Sequence, residues 1–217
     1  SELPEKELRD LWGTGMAMIF QDPMTTLNPV RRIGTQLTES LTVRLKLSKK
    51  EAHEQAIELL RRVRIADPEG MMRKFPYQLS GGMRQRIMIA IAVSCKPELL
   101  FADEPTTALD VTVQAQVLEL LSELRKEFNM AMILVTHDLG VVAGHTDKIA
   151  VMYAGEVVEY GETKELFANV RMPYTEALLN SIPRLDQKSS GRMTVIEGRL
   201  PDPTKPEPGC AFASRCP

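Results

Sequence analysis

Short apolar segments alternate along the chain with longer helical segments, and this alternation constrains the fold more than any other sequence feature. The segments MAMIF, ELLFADEP and MAMILVTHD are each typical of a buried strand. Between the last two, VTVQAQVLELLSELRKEF has the length and apolar pattern of a helix. Strands that alternate with helices predict an α/β fold with a largely parallel sheet.

The remaining segments predict further helices, a pair of strands and an irregular tail. One helix is expected from Ile33 to Val43, and another begins at Ser48, where SKKE matches a capping box. The segment KIAVMYAGEVVEYG predicts two strands around a glycine turn. From Pro173 a short helix, YTEALLNSI, is followed by LPDPTKPEPG, whose prolines favour an extended, weakly packed tail.

Charge and apolar runs exclude several classes of function. The formal net charge of -2 gives no electrostatic pull on a polyanion, so we expect no nucleic-acid partner. The longest apolar run, from Ile87 to Val93, is far short of the roughly 18–20 residues that span a bilayer. Three cysteines, an odd number, favour reduced thiols in the cytosol. Contact with a membrane is therefore expected only through a partner.

The stretch QLSGGMRQRIMIAIA opens an apolar helix with a serine and two glycines. Ser80 can cap the first turn, and Gly81 and Gly82 have no Cβ to block the approach of a ligand. The free N–H groups and the helix dipole then favour a phosphate. The alternative is a capped helix preceded by a tight turn. The 217 residues contain no G-x-x-x-x-G-K-[ST], the loop that normally grips a nucleotide's phosphates.

Polar side chains follow each of the three predicted strands. Asp103 can hold Mg²⁺, and Glu104 can orient or deprotonate an attacking water. His137 can donate to a phosphate oxygen, and Gln21 can reach Mg²⁺ or water. The alternatives are a solvated acidic turn at Asp103 and Glu104, a surface histidine beside the helix cap Asp138, and a turn residue at position 21.

Taken together and in order, IFQDP, LSGGMRQR, LLFADEPTTALD and LVTHD resemble the nucleotide-binding domain of ABC transporters from about residue 16 to residue 160. The resemblance implies a P-loop NTPase-like core with a helical subdomain at about 30–95, and use of ATP and Mg²⁺. It also implies a role for each matching residue. Gln21 is the Q-loop glutamine, and residues 79–85, with Ser80, Gly81, Gly82 and Gln85, are the signature motif. Asp103 and Glu104 end Walker B, Ala108–Asp110 is the D-loop and His137 is the switch histidine. Glu104 is the expected base and Asp103 and Gln21 the expected Mg²⁺ ligands, while the signature residues and Asp110 contact nucleotide.

The longer matches FQDPMTTLNPVRRIG, PYQLSGGMRQR, PYTEALLNSIP and GCAFASRCP resemble the ATPase subunits of oligopeptide, dipeptide or nickel importers. This resemblance implies an ATPase domain over 1–168 and a C-terminal extension over 169–217. It implies a second ATPase subunit, transmembrane permease subunits and, indirectly, an extracytoplasmic substrate-binding protein, with the chain peripheral on the cytoplasmic face of the membrane.

In that family each ATP lies between the phosphate loop of one domain and the signature helix of the other. The expected phosphate loop and the aromatic that stacks on adenine would precede Ser1. We therefore expect the 217 residues, taken alone, not to bind ATP tightly.

The cysteines divide into one helical and two terminal residues. Cys95, in an apolar helical stretch, is expected to be a small core residue. Cys210 and Cys216 are separated by five residues, and some members of the resembling subfamily hold an iron–sulfur cluster in this region. Two thiolates cannot complete a four-ligand site, so the alternative is that the tail packs on the domain or contacts the translocating subunit.

The same motifs are compatible with two other functions. One is an ABC ATPase without a transport role, in DNA repair or at the ribosome, although no long coiled-coil or zinc-bearing insertion is visible. The other is a non-catalytic, ABC-like binding module, which the missing phosphate loop would favour.

Overall fold

The computed structural model describes residues 4–107, 109–181, 196–199, 201 and 209–216. It forms two compact units, Ser1–Val135 and Thr136–Pro217. Within the described residues, no helix has both the length and the apolar character needed to cross a bilayer. The proposed division into 1–168 and 169–217 stays a prediction.

Three parallel strands form the sheet of the first unit, as the alternation predicts. They are β1 (Met16–Ile19), β2 (Leu99–Asp103) and β3 (Ala131–Val135), and β2 lies in the middle. Met16 pairs with Leu99, and Leu99 with Ala131, so the three strands end together. Their carboxyl ends therefore bring three chain segments to one edge of the sheet.

Seven helices of the first unit lie within its described residues: α1 (Glu5–Leu11), α2 (Pro23–Thr26), α3 (Ile33–Arg44), α4 (Lys49–Arg62), α5 (Pro68–Arg73), α6 (Gly81–Val93) and α7 (Val111–Glu127). The predicted capping box is present at α4. Ser48 accepts a hydrogen bond from the Glu51 backbone, and the Glu51 carboxylate accepts one from the Ser48 backbone. Helices α3, α4, α5 and α6 form the helical region expected between the first two strands.

A continuous apolar core joins the sheet to these helices. Ile87 and Ile89 of α6, Leu100 of β2 and Leu121 of α7 are fully buried in it. Each such side chain contributes about 1.5–3 kcal/mol on burial. The Gly34 position in α3 lies so close to α5 that an added Cβ would be 2.7 Å from the Met72 carbonyl oxygen. The core thus fixes the segments that follow each strand.

The second unit contains an antiparallel ladder rather than a continuation of the parallel sheet. Its elements are α8 (Leu139–His145), β4 (Lys148–Tyr153), β5 (Glu156–Glu162), α9 (Thr163–Ala168) and α10 (Pro173–Asn180). Strands β4 and β5 pair antiparallel because only Ala154 and Gly155 connect them. Both have positive φ, 50° and 86°, as a type I′ hairpin turn requires.

Part of the C-terminal extension is fixed by an aromatic cluster and an arginine. Phe212 is 1% exposed, and its ring centroid lies 5.3 Å from those of Tyr153 and Tyr174. Arg215 donates to the Tyr153 hydroxyl at 3.1 Å and to the carbonyl oxygens of Ile196 and Glu197 at 2.9 and 2.8 Å. Most of the proline-rich segment LPDPTKPEPG lies outside the described residues.

Candidate active site

The parallel strands bring Gln21 and Glu104 together at the carboxyl edge of the sheet. Gln21 follows β1, and Glu104 immediately follows β2. Although the two residues are 83 positions apart in the sequence, Nε2 of Gln21 donates a hydrogen bond to Oε2 of Glu104 at 2.6 Å. The contact arises because parallel strands of matched register end side by side.

Thr107, which the sequence analysis did not assign, holds the same carboxylate. Its Oγ1 donates to Oε2 of Glu104 at 2.8 Å, and its backbone N–H donates to the Glu104 carbonyl at 3.3 Å. Glu104 has a φ of 42°, in the left-handed region that non-glycine residues rarely adopt. Its own N–H donates to the Val135 carbonyl at 2.9 Å, which ties this strained residue to β3.

The donor atoms at this edge fit the requirements of Mg²⁺. Asp103 is the last residue of β2 and is half-buried, and with Glu104 and Gln21 it supplies carboxylate and amide oxygens. Mg²⁺ prefers such hard oxygen donors and is commonly bound through one or two carboxylates and the phosphates of a substrate. Asp103 and Gln21, the expected ligands, therefore carry the types of donor atom that Mg²⁺ takes.

The first N–H groups of a helix have no partner within the helix, and the two glycines at the start of α6 have different neighbours. Ser80 caps the helix and accepts a hydrogen bond from the Met83 backbone at 3.4 Å. A Cβ at Gly81 would meet only Leu109, at 4.0 Å, so the approach to this residue is open. A Cβ at Gly82 would lie 3.0 Å from Cγ1 of Val113 in α7, so a larger residue at position 82 requires Val113 to shift.

Gln85 lies one turn further along α6, in the core. It is 1% exposed, and within the described residues its Nε2 atom has no hydrogen-bond partner. In this conformation the amide does not face the open start of the helix. Direct contact with a nucleotide, as the resemblance implies, would require this side chain to leave the core.

Asp110 has a structural role at the start of α7. It caps α7, and its Oδ1 accepts a hydrogen bond from the Val113 backbone at 3.1 Å. Of the expected D-loop, Ala108 lies outside the described residues, whereas Leu109 lies against the start of α6. The signature helix and α7 therefore meet at their first turns.

His137 belongs to the second unit. It is exposed in the turn between β3 and α8, and Asp138 beside it caps α8 by accepting from the Gly140 backbone at 2.9 Å. The cap at Asp138 was predicted from the sequence, as part of the alternative in which His137 is a surface residue. A role of His137 toward a phosphate stays a prediction.

Among the described residues, all three cysteines are free thiols. Cys95 is buried just after α6, and burial raises the pKa of its thiol. Cys210 and Cys216 are exposed on either side of the short turn that carries Arg215. Across the part of the chain that the structure describes, no group of three or more histidine, cysteine, aspartate or glutamate side chains could hold a metal ion. The donor set does not fit a four-ligand cluster.

Two family models match the sequence. The ABC transporter model matches residues 2–107, which include β1, α6, β2 and Glu104. The model for the oligopeptide/dipeptide transporter C-terminal region matches residues 158–217, which include Cys210 and Cys216.

Curated relatives carry the same resemblance over nearly the whole chain. The dipeptide transport ATP-binding protein DppD of Bacillus subtilis is 51% identical over 99% of this chain. The oligopeptide transport ATP-binding protein OppD of Salmonella typhimurium is also 51% identical over 99% of it. The chain spans about 64% of the length of each of these relatives.

Solved structures of ATP-binding cassettes also resemble this chain. The ATP-binding cassette MJ0796, a dimer bound to ADP and Pi, matches with a TM-score of 0.66 and 28% identity over 75% of this chain and 68% of its own. The cbiO1 protein of Clostridium perfringens, part of the ABC transporter complex cbiONQ, matches with a TM-score of 0.63 and 30% identity over 80% of this chain and 69% of its own. By sequence and by fold, the chain belongs to the ATP-binding cassette family of ABC transporters.

Proposed function

We propose that this chain is part of an ATP-binding and ATP-hydrolysing subunit that powers peptide import by an ABC transporter. The observation that carries the proposal is the cluster of Glu104, Gln21 and Asp103 at the carboxyl edge of the parallel sheet. The curated relatives DppD and OppD are named as dipeptide and oligopeptide transport ATP-binding proteins, which supports peptides as the cargo.

In the proposed reaction Glu104 accepts a proton from water, or polarises it, as the water attacks the γ-phosphate. A carboxylate placed in this way contributes typically about 10²–10⁴-fold to the rate. Gln21 and Asp103 would supply oxygen ligands to Mg²⁺, and the bound ion would neutralise charge on the phosphates. His137 donates a hydrogen bond to the transferred phosphate.

The start of α6 serves the nucleotide of a second subunit. Ser80 and Gly81 present N–H groups at a helix start that is open toward solvent, which suits an anionic phosphate. The dimeric arrangement named for MJ0796 supports such pairing. The further partners are permease subunits in the membrane and, through them, an extracytoplasmic substrate-binding protein, so the chain lies on the cytoplasmic face.

The proposal requires that nucleotide affinity depends on more than these 217 residues. They contain no G-x-x-x-x-G-K-[ST] loop. We expect no tight ATP binding in calorimetry of the 217 residues alone, and micromolar affinity would contradict this part of the proposal.

The decisive experiment is the Glu104→Gln substitution in the natural polypeptide, assembled with its permease. Turnover of Mg-ATP should fall at least about 100-fold, because the amide cannot accept the proton, while ATP binding is retained. Glu98→Gln, at the opposite end of β2, is the matched control and should leave turnover unchanged. Near-normal turnover in Glu104→Gln would overturn the proposed role of Glu104.

A further inference from the structure

One oxygen atom of Glu104 accepts hydrogen bonds from two side chains at once. Nε2 of Gln21 donates to Oε2 at 2.6 Å, and Oγ1 of Thr107 donates to the same Oε2 at 2.8 Å. A carboxylate oxygen has about two lone-pair sites, so these donors together occupy Oε2. The orientation of the carboxylate is therefore set by two side chains with very different surroundings.

Gln21 has a second role in the proposed reaction. It is exposed, lies in the segment after β1, and is the proposed amide ligand of Mg²⁺. An amide oxygen can bind a metal ion while the amide N–H still donates, but the metal then helps to set where the amide lies. The contact from Gln21 therefore depends on whether the metal is bound.

Thr107 makes a local contact that does not depend on another element. It lies three residues after Glu104, and its backbone N–H also donates to the Glu104 carbonyl at 3.3 Å. The Glu104 backbone is held on its other side by the bond to Val135 and has a φ of 42°. Thr107 thus contacts both the backbone and the carboxylate of Glu104.

We propose that Thr107 is the positioning residue of Glu104. Its hydroxyl holds Oε2 while Gln21 leaves, so that one acceptor site opens toward water without loss of the carboxylate's orientation. This inference rests on the proposed function of Glu104. It adds a residue that acts through the base and does not itself touch the reacting atoms.

The test compares Thr107→Val, which replaces the hydroxyl by a methyl group, with Thr107→Ser, which keeps the hydroxyl. Both are made in the natural polypeptide assembled with its permease. We expect kcat to fall about tenfold in Thr107→Val, the effect of losing one hydrogen bond to a charged group, with KM for ATP unchanged. Thr107→Ser should retain kcat within about twofold, since its hydroxyl can make the same bond.

Thr112→Val, on the exposed first turn of α7, is the matched control and should not change kcat. Nucleotide-free crystal structures in a Gln21→Ala background give a readout that does not depend on turnover, because Thr107 is then the remaining side-chain donor of the pair. We expect the Glu104 carboxylate to keep its orientation in Gln21→Ala and to rotate in Gln21→Ala/Thr107→Val. An unchanged carboxylate in the double variant would overturn the inference.

Glu104→Gln, measured in the same preparation, separates this inference from the function on which it rests. If Glu104→Gln keeps its turnover, the role of Glu104 and the positioning role of Thr107 both fall. If Glu104→Gln loses turnover while Thr107→Val behaves as the native protein, only the positioning role falls. An equal loss in Thr107→Val and Thr107→Ser would also overturn it, because the hydroxyl would not be the cause.

Discussion

Nε2 of Gln21 lies 2.6 Å from Oε2 of Glu104 and donates a hydrogen bond to it across the carboxyl ends of two parallel strands. Because a glutamine amide has a donor end and an acceptor end, this contact leaves its oxygen directed elsewhere than at the carboxylate. The same side chain can therefore contact the acid in one state and a cation in another.

Replacement of Gln21 by alanine tests this second contact. In the assembled transporter, Gln21→Ala should raise the Mg²⁺ concentration for half-maximal ATP turnover about tenfold, because one oxygen ligand is lost. Gln55→Ala, on α4, removes an amide that contacts the Ser94 carbonyl and serves as the control. An unchanged Mg²⁺ requirement in Gln21→Ala would exclude Gln21 as a ligand.

Alanine substitutions at the two signature glycines should have opposite consequences. Gly82→Ala brings a Cβ within 3.0 Å of Val113 and should lower the free energy of unfolding by about 1–2 kcal/mol. Gly81→Ala meets only Leu109 at 4.0 Å and should be neutral or slightly stabilising, since alanine favours a helix. Urea unfolding measures both. If Val113→Ala does not restore the stability of Gly82→Ala, the clash is not its cause.

The capping box of α4 makes stability depend on pH. Hydrogen bonding to Ser48, through its side chain and then its backbone, lowers the pKa of the Glu51 carboxyl. The contribution of Glu51 to the free energy of unfolding is therefore present above the pKa of the unfolded state, about 4.3. It is lost as the pH falls through the lower pKa of the folded state. Thermal unfolding of the native protein and Glu51→Gln should differ at pH 7 and converge near pH 3. A constant difference would contradict this assignment.

Removal of the Phe212 ring should loosen the C-terminal extension. Phe212 is 1% exposed and packs against Tyr153 and Tyr174. Phe212→Ala should therefore lower the free energy of unfolding by about 3–5 kcal/mol. Tyr160→Ala, at a ring that is 65% exposed, should cost much less and is the control. Amide hydrogen exchange near residues 196–199 should accelerate in Phe212→Ala alone. Equal protection in both variants would show that the cluster does not anchor this segment.

The elements that local pattern determines were predicted from the sequence. The strand of Leu100, the cap at Ser80 and the capping box at Ser48 each depend on residues within one turn or one strand. The meeting of Gln21 with Glu104 was predictable in outline, since parallel strands end at a common edge.

Features that depend on exact backbone geometry were not predictable in the same way. The contact from Thr107 requires the left-handed φ of Glu104, which no local pattern indicates. The tight space at position 82 arises from Val113, 31 positions further along the chain. The burial of Gln85 and of Phe212 likewise follows from tertiary packing, which outweighs the polarity or terminal location that the sequence displays.

The left-handed backbone at Glu104 implies a trade-off between thermal stability and the proposed catalysis. A residue held at a φ of 42° costs about 1–3 kcal/mol unless it is glycine. Glu104→Gly should therefore raise the melting temperature while it removes the carboxylate that the proposed reaction uses. Glycine would fit this backbone better, so in the proposed function the chain tolerates a strained backbone in order to place a carboxylate at this point.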